Sequence, residues 1–209
     1  MRADTVARHR GRAATDGFQV SADVTGPVRK SGPGVYKVAR FKGAKSPSTA
    51  GTWGGWTLVA VYENKKEPLH RIAMWDGFQP LEADRRTFTV RLNGLHIPAN
   101  SHGRAGVVAY DGYRGRGNDG LTVRAGRHRP LKVHDSANPA NDVMNSTITD
   151  FGQEAARRPA YPDTLGFDSD VFDITPALRS GADRLTFRFT TRNPGYLLGA
   201  LFVQADTRH

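Results

Sequence analysis

Residues 53–78 read WGGWTLVAVYENKKEPLHRIAMWDGF and carry the strongest β signal in the chain. Across residues 56–62 only Thr57 is polar, the pattern of a strand covered on both faces and therefore set mid-sheet. Residues 63–68 are mostly charged and close on Pro68, and the next apolar run, 69–75, leads into Asp76-Gly77, a turn signal. The stretch predicts a hairpin of two central strands with Trp56 and Trp75 in the core.

Working outward, strands are expected near 35–41, 87–92, 106–110, 121–124, 184–191 and 196–204. The last two read as a second hairpin about the turn Asn193-Pro194-Gly195. With 209 residues the chain can bury one sizeable core, and its 23 glycines and 12 prolines fall between short apolar runs. Helical periods of useful length are scarce, so the spacing predicts an all-β fold: a two-sheet antiparallel sandwich, jelly-roll-like, with one or two single-turn helices. Residues 1–17 read as a flexible basic arm and 18–206 as a single β-sandwich domain. The expected core is Trp56, Leu58, Val59, Val61, Ile72, Trp75, Leu185, Phe187, Phe189, Leu201 and Val203.

A near-repeat frames the domain. Asp23-Val24-Thr25 with Val28-Arg29 and Ser31-Gly32 matches Asp173-Ile174-Thr175 with Leu178-Arg179 and Ser180-Gly181. Thr175-Pro176 starts a short helix and Gly181 supplies a left-handed end, while Asp23 and Asp173 are placed to accept hydrogen bonds from nearby amides. Val28 and Leu178 would then plug the end of a core.

The net charge of +10 admits an anionic partner, but the arginines are scattered singly, without the stripe of a specific nucleic-acid footprint. Absence of cysteine excludes disulfides, thiol catalysis and zinc ribbons. The arginine-rich start lacks the apolar segment of a signal peptide, and no apolar run approaches membrane-spanning length, so no membrane insertion is expected.

The densest acidic segment is DTLGFDSDVFD, residues 163–173. In an extended chain Asp168 and Asp170 share a face, so their carboxylates can converge on a hard cation such as calcium, with Asn141, Asp142 and Asn145 as further oxygen donors. Asx-turn and capping roles account for the same residues. As a glycosidase pair Asp168 and Asp170 would need a defined separation and one raised pKa. The histidines lack metal spacing, and no nucleophile elbow or phosphate-cradling glycine motif is present. Trp53, Tyr110, Tyr113 and Tyr161, in or near loops, are candidates for stacking on sugar rings.

The tracts WGGWTLVAVYENKKEPLHRIAMWDGFQ, ADVT, GVVAYDG, ANPANDVMNSTITDFG, TLGFDSDVFD and PGYLLGALFVQA together resemble a β-sandwich domain of unknown function found in large actinobacterial and other bacterial surface proteins. The resemblance spans roughly residues 18–205 and carries over no catalytic residue. It implies an extracellular or cell-surface location and a non-enzymatic role in adhesion or as a structural spacer. A carbohydrate-binding module for a cell-wall or environmental glycan is the alternative, and a glycan-active hydrolase stands behind it. Such domains begin with an earlier strand containing Tyr-Trp-Gly, which this chain does not show; its lack implies an exposed sheet edge and self-association through it.

Overall fold

The structure, a computed structural model, describes residues 3–10, 16–39, 54–115, 117–192 and 195–207. It divides into two compact units, Met1–Leu58 and Val59–His209. In the first, β1 (Thr5–Arg10) pairs antiparallel with β2 (Asp16–Ser21), setting Val6 opposite Val20 and Arg8 opposite Phe18. Residues 5–10, expected in a flexible arm, are therefore a strand, held by a neighbour that their own composition does not announce. Helix α1 (Thr25–Ser31) follows, seven residues long. The Asp23 carboxylate accepts from Thr25 N at 2.8 Å, as the near-repeat predicts. Arg29 and Lys30 lie in its last turn, where they complement the helix dipole, and Gly32, at φ +66°, ends it. Val28 is only half-buried, and residues 35–39 form no strand, with Val35 and Val38 exposed.

In the second unit β3 (His70–Leu81), β5 (Gly103–Tyr110), β8 (Ile148–Asp150), β9 (Gln153–Glu154), β10 (Phe167–Asp173) and β12 (Tyr196–Asp206) form one sheet, ordered β3-β12-β5-β10-β8-β9. The other contains β4 (Thr87–Asn93), β6 (Gly120–Ala125), β7 (Leu131–Val133) and β11 (Arg184–Thr190), ordered β4-β11-β6-β7. Pairing is antiparallel except between β8 and β10. The result is the expected all-β sandwich. Its inward faces follow strand alternation in Leu185, Phe187 and Phe189 on β11, Leu121, Val123 and Ala125 on β6, and Ala105, Val107 and Ala109 on β5, while on β12 the parity changes at Gly199, so that Leu198 and then Leu201, Val203 and Ala205 are buried in the same core.

Three expectations are corrected. Residues 54–63 form no strand; Trp56 is 53% exposed, and Leu58, Val61 and Tyr62 are exposed as well. Apolar continuity marks a β-prone run but supplies no neighbour, and β3 finds its partner instead in the long final strand β12. Trp75 does pack against the core, while Ile72 is exposed. Second, Asp76-Gly77 is not a turn. Gly77 and Phe78 stand opposite the single residue Gly199, a β-bulge that lets β3 run on to Leu81. A Cβ on Gly77 would lie 2.7 Å from the Trp75 ring, so glycine is required there. Third, β11 and β12 form no hairpin. Each is flanked on both sides by other strands, and the chain crosses between sheets after Thr191. Of the proposed turn only Gly195 falls among the described residues.

Near the second half of the repeat, Asp173 accepts from Thr175 N at 2.8 Å and a single 3₁₀ turn, Thr175–Ala177, follows. Leu178 is buried in the core, and Gly181 adopts φ +77°. Phe187 is fully buried whereas Trp56 is not, so their truncations separate core from surface. Phe187→Ala is expected to cost about 3–5 kcal/mol and Trp56→Ala under about 1 kcal/mol, read from urea unfolding midpoints.

Candidate functional site

Alternation along β10 turns Asp168, Asp170 and Phe172 toward the interior. Asp168 is 0% and Asp170 1% exposed, so the expectation that the two aspartates share a face holds, but that face is the inner one. What makes an acidic strand end tolerable is the polar segment 135–149, which brings donors to it. The Asp168 carboxylate accepts from Thr147 N at 3.1 Å. Oδ1 of Asp170 accepts from Thr149 N at 3.0 Å, from Thr149 Oγ1 at 2.6 Å and from Thr147 Oγ1 at 3.2 Å. Parallel pairing sets Thr149 directly beside Asp170.

The segment is itself stitched together. Asp135 Oδ1 accepts from the amides of Ala137 at 3.0 Å and Asn138 at 2.9 Å, and from Asn138 Nδ2 at 3.0 Å. Asn138 Nδ2 also donates to Thr149 Oγ1, and Asn145 Nδ2 donates to the Ala137 carbonyl at 2.9 Å. Thr147 Oγ1 lies 2.9 Å from Asn138 Oδ1 and 2.8 Å from Asn145 Oδ1. Gly112 closes the other side: Ser146 Oγ donates to its carbonyl at 2.7 Å, and a Cβ there would fall 2.3 Å from the Met144 carbonyl oxygen and 2.6 Å from Asp168 Oδ2. Arg114 donates to the Asn145 carbonyl and to that of Pro162, so the loops around 112, 145 and 162 are tied together.

Electrostatically the cluster is one-sided. Oδ2 of Asp135, Asp168 and Asp170, Oδ1 of Asp142 and the Tyr196 hydroxyl are buried without a hydrogen-bond partner. The ion pairs seen among the described residues join histidines to Glu67, Asp183 and Asp206, none of them in this cluster. Burial, and then the neighbouring charge of Asp170, push the Asp168 carboxyl well above its usual range against the pull of backbone amides. Burial likewise raises Asp170 to about 7, opposed by the Thr149 and Thr147 hydroxyls. Asp119 also rises to about 7, through burial and the charge of Asp142. Tyr196 is pushed up by burial, then by Asp119 and Asp168.

The other candidates fall in different places. Asn141 is exposed, and its carbonyl accepts from Asn118 N. Asp142 is buried, but its Oδ2 accepts from Gly115 N at 2.7 Å and its charge acts on Asp119. Tyr110 packs edge-on to Phe78 and tilted to Phe167, with its hydroxyl raised to about 12 by burial and Asp76, so its ring is a packing element and not a free platform. Tyr113 and Tyr161 remain exposed, at 48% and 64%. Trp53 lies outside the described residues. Asp135, Asn138, Thr147 and Thr149 form the network with Asp168 and Asp170, and Asp119 and Tyr196 lie near it, with no motif to flag any of them; the nearest signal was the density of Asn, Asp and Thr between 135 and 150.

Fold and site thus define a two-sheet β-sandwich with an oxygen-rich polar cluster sealed under its loops. No protein-family model matches the chain, and no curated protein matches it. Among the described residues no helix is long and apolar enough to cross a membrane.

Two outcomes follow from this geometry. Gly112→Ala drives a Cβ into backbone and is expected to destabilise by about 1–3 kcal/mol in thermal unfolding. Asp119 has a carboxyl raised in the folded state from 3.8 to about 7, so its contribution to stability is full below about pH 4 and lost as pH rises through about 7. Asp119→Asn should therefore flatten the fall in Tm across that window and raise Tm at its upper end.

Proposed function

We propose that the chain is a non-enzymatic β-sandwich module of a bacterial surface protein, acting in adhesion or as a structural spacer. The observation that carries this reading is the inward orientation of Asp168 and Asp170, the pair best suited by sequence to acid–base work. A glycosidase pair has to reach both the glycosidic oxygen and the anomeric face of a sugar. Here both carboxylates lie beneath Thr147 and Thr149, with their Oδ2 atoms buried. Their hydrogen bonds hold a loop to a strand, a cross-bracing role suited to a module that bears load. The surface setting rests on the resemblance of the tracts quoted above. Incubation with a panel of cell-wall and plant glycans is expected to release no reducing ends, and turnover abolished by Asp168→Asn would sink the reading.

A second reading, carbohydrate binding, is favoured by one specific feature. Tyr113 and Tyr161 are exposed on two loops that Arg114 joins through the Pro162 carbonyl, and Arg157 donates to the Tyr161 carbonyl. Exposed rings on loops braced to one another suit stacking against the apolar face of a sugar. On a glycan array, binding that weakens about 3- to 10-fold in Tyr161→Ala, the loss of one stacking contact worth about 0.5–1.5 kcal/mol, would support this arm.

A further inference from the structure

The oxygens around Thr147 outnumber the hydrogens available to them. Its hydroxyl carries a single proton, yet Asn138 Oδ1, Asn145 Oδ1 and Asp170 Oδ1 lie 2.9, 2.8 and 3.2 Å from Oγ1. Turning the amides offers no relief. Asn138 Nδ2 is committed to Asp135 Oδ1 and Thr149 Oγ1, and Asn145 Nδ2 to the Ala137 carbonyl, so each flip would set oxygen against oxygen. The proton of Thr149 is already directed at Asp170 Oδ1. Beside this crowd Asp168 Oδ2 and Asp170 Oδ2 are buried without partners.

An independent residue points the same way. Tyr196 is 2% exposed and its hydroxyl has no partner, although buried phenols ordinarily find one. It lies on the inner face of β12, two residues from Leu198, which shares a row with Ala109 and Asp168, and the carboxyls of Asp119 and then Asp168 bear on its hydroxyl. No Lys, Arg or His forms an ion pair with the cluster among the described residues. Two buried carboxylates without a counter-charge are costly in the ionised form, so a positive species belongs here.

The geometry points to a divalent cation, of the calcium class, held by Asp168 and Asp170 with the neutral oxygens of Asn138, Asn145 and Thr147. Carboxylates, amide carbonyls and hydroxyls are the hard oxygen donors that calcium accepts in irregular numbers, whereas magnesium demands a regular octahedron and retains its waters. The ion's double charge would be matched by the carboxylates of Asp168 and Asp170 and completed by neutral groups, while the neighbouring Asp135 carboxylate holds Asn138 in place through Oδ1. Asn141 and Asp142, candidates by sequence, have no part in it. The ion would pin segment 135–149 to β10, tightening the same loop end that carries Tyr113.

The test uses the whole chain, stripped with chelator and titrated with calcium or terbium. Calcium at about a hundredfold excess over Kd should raise Tm by about 5 °C or more, and chelator should reverse it. Asp170→Asn should abolish the shift and Asn141→Ala should retain it. Terbium emission excited through tyrosine should fall in Tyr196→Phe, which keeps the ring's packing and removes the phenol that passes energy to an ion close beside it. That measurement decides the matter if Asp170→Asn does not fold. Superimposable melts with and without calcium, and no terbium emission above free ion, would mean that protons neutralise the cluster and would overturn the proposal. So would a calcium shift that survives in Asp170→Asn, or terbium emission unchanged in Tyr196→Phe.

Discussion

Asp168 and Asp170 sit buried on the inner face of β10, with no ion pair to a basic side chain among the described residues, and the loop end of the sandwich is arranged around that burden. Their hydrogen-bond donors come from Thr147 and Thr149, which places β8 alongside β10 in the one parallel pairing described. Asn138 and Asn145 hold the preceding segment in reach, Asp135 holds Asn138, and Gly112 leaves room for Asp168 Oδ2. An unpaired buried carboxylate is costly enough that this end of the domain has to satisfy it or come apart. Rigidity of the loops follows from that requirement.

The rest of the sandwich depends on β12. It runs between β3 and β5, and its inner residues Leu198, Leu201, Val203 and Ala205 contribute to the common core. The bulge at Gly199 bends it against both neighbours. On its outer side the ring of Phe202 lies over Gly106, where a Cβ would be 1.7 Å from the ring, so a residue without a side chain is needed on β5 at that register. Small and large side chains are thereby interlocked on the outside of the sheet as well as within it.

Charge is distributed with the same economy. The chain carries +10 overall, yet among the described residues the buried Asp, Glu, Lys, Arg and His side chains are all aspartates, Asp119, Asp142, Asp168 and Asp170. Arginines serve at the surface and at loop joints, where Arg114, Arg157 and Arg179 donate to backbone carbonyls. That use draws on the planar fork of donors that the guanidinium supplies.

Period-two alternation is a property of the local backbone, and it was readable: Leu185, Phe187 and Phe189 on the inner face of β11 are the residues that the pattern places there, and Asp168 and Asp170 share one face of β10 as it requires. So were the Asp23 and Asp173 turns, each closed within two residues, and the left-handed Gly181. Pairing was not. That Trp56 and its neighbours stay outside the sheets, that β11 and β12 part company, and that residues 5–10 pair with β2 all depend on which strand offers an edge of matching length. The candidate site divides along the same line. Asp168 and Asp170 were visible as one-faced acids, but whether that face met solvent or core, and that Thr147 rather than Asn141 would meet it, was decided by contacts spanning 21 to 34 residues of chain. A local sequence pattern records what a strand can present, and only the assembled sheets determine what it faces.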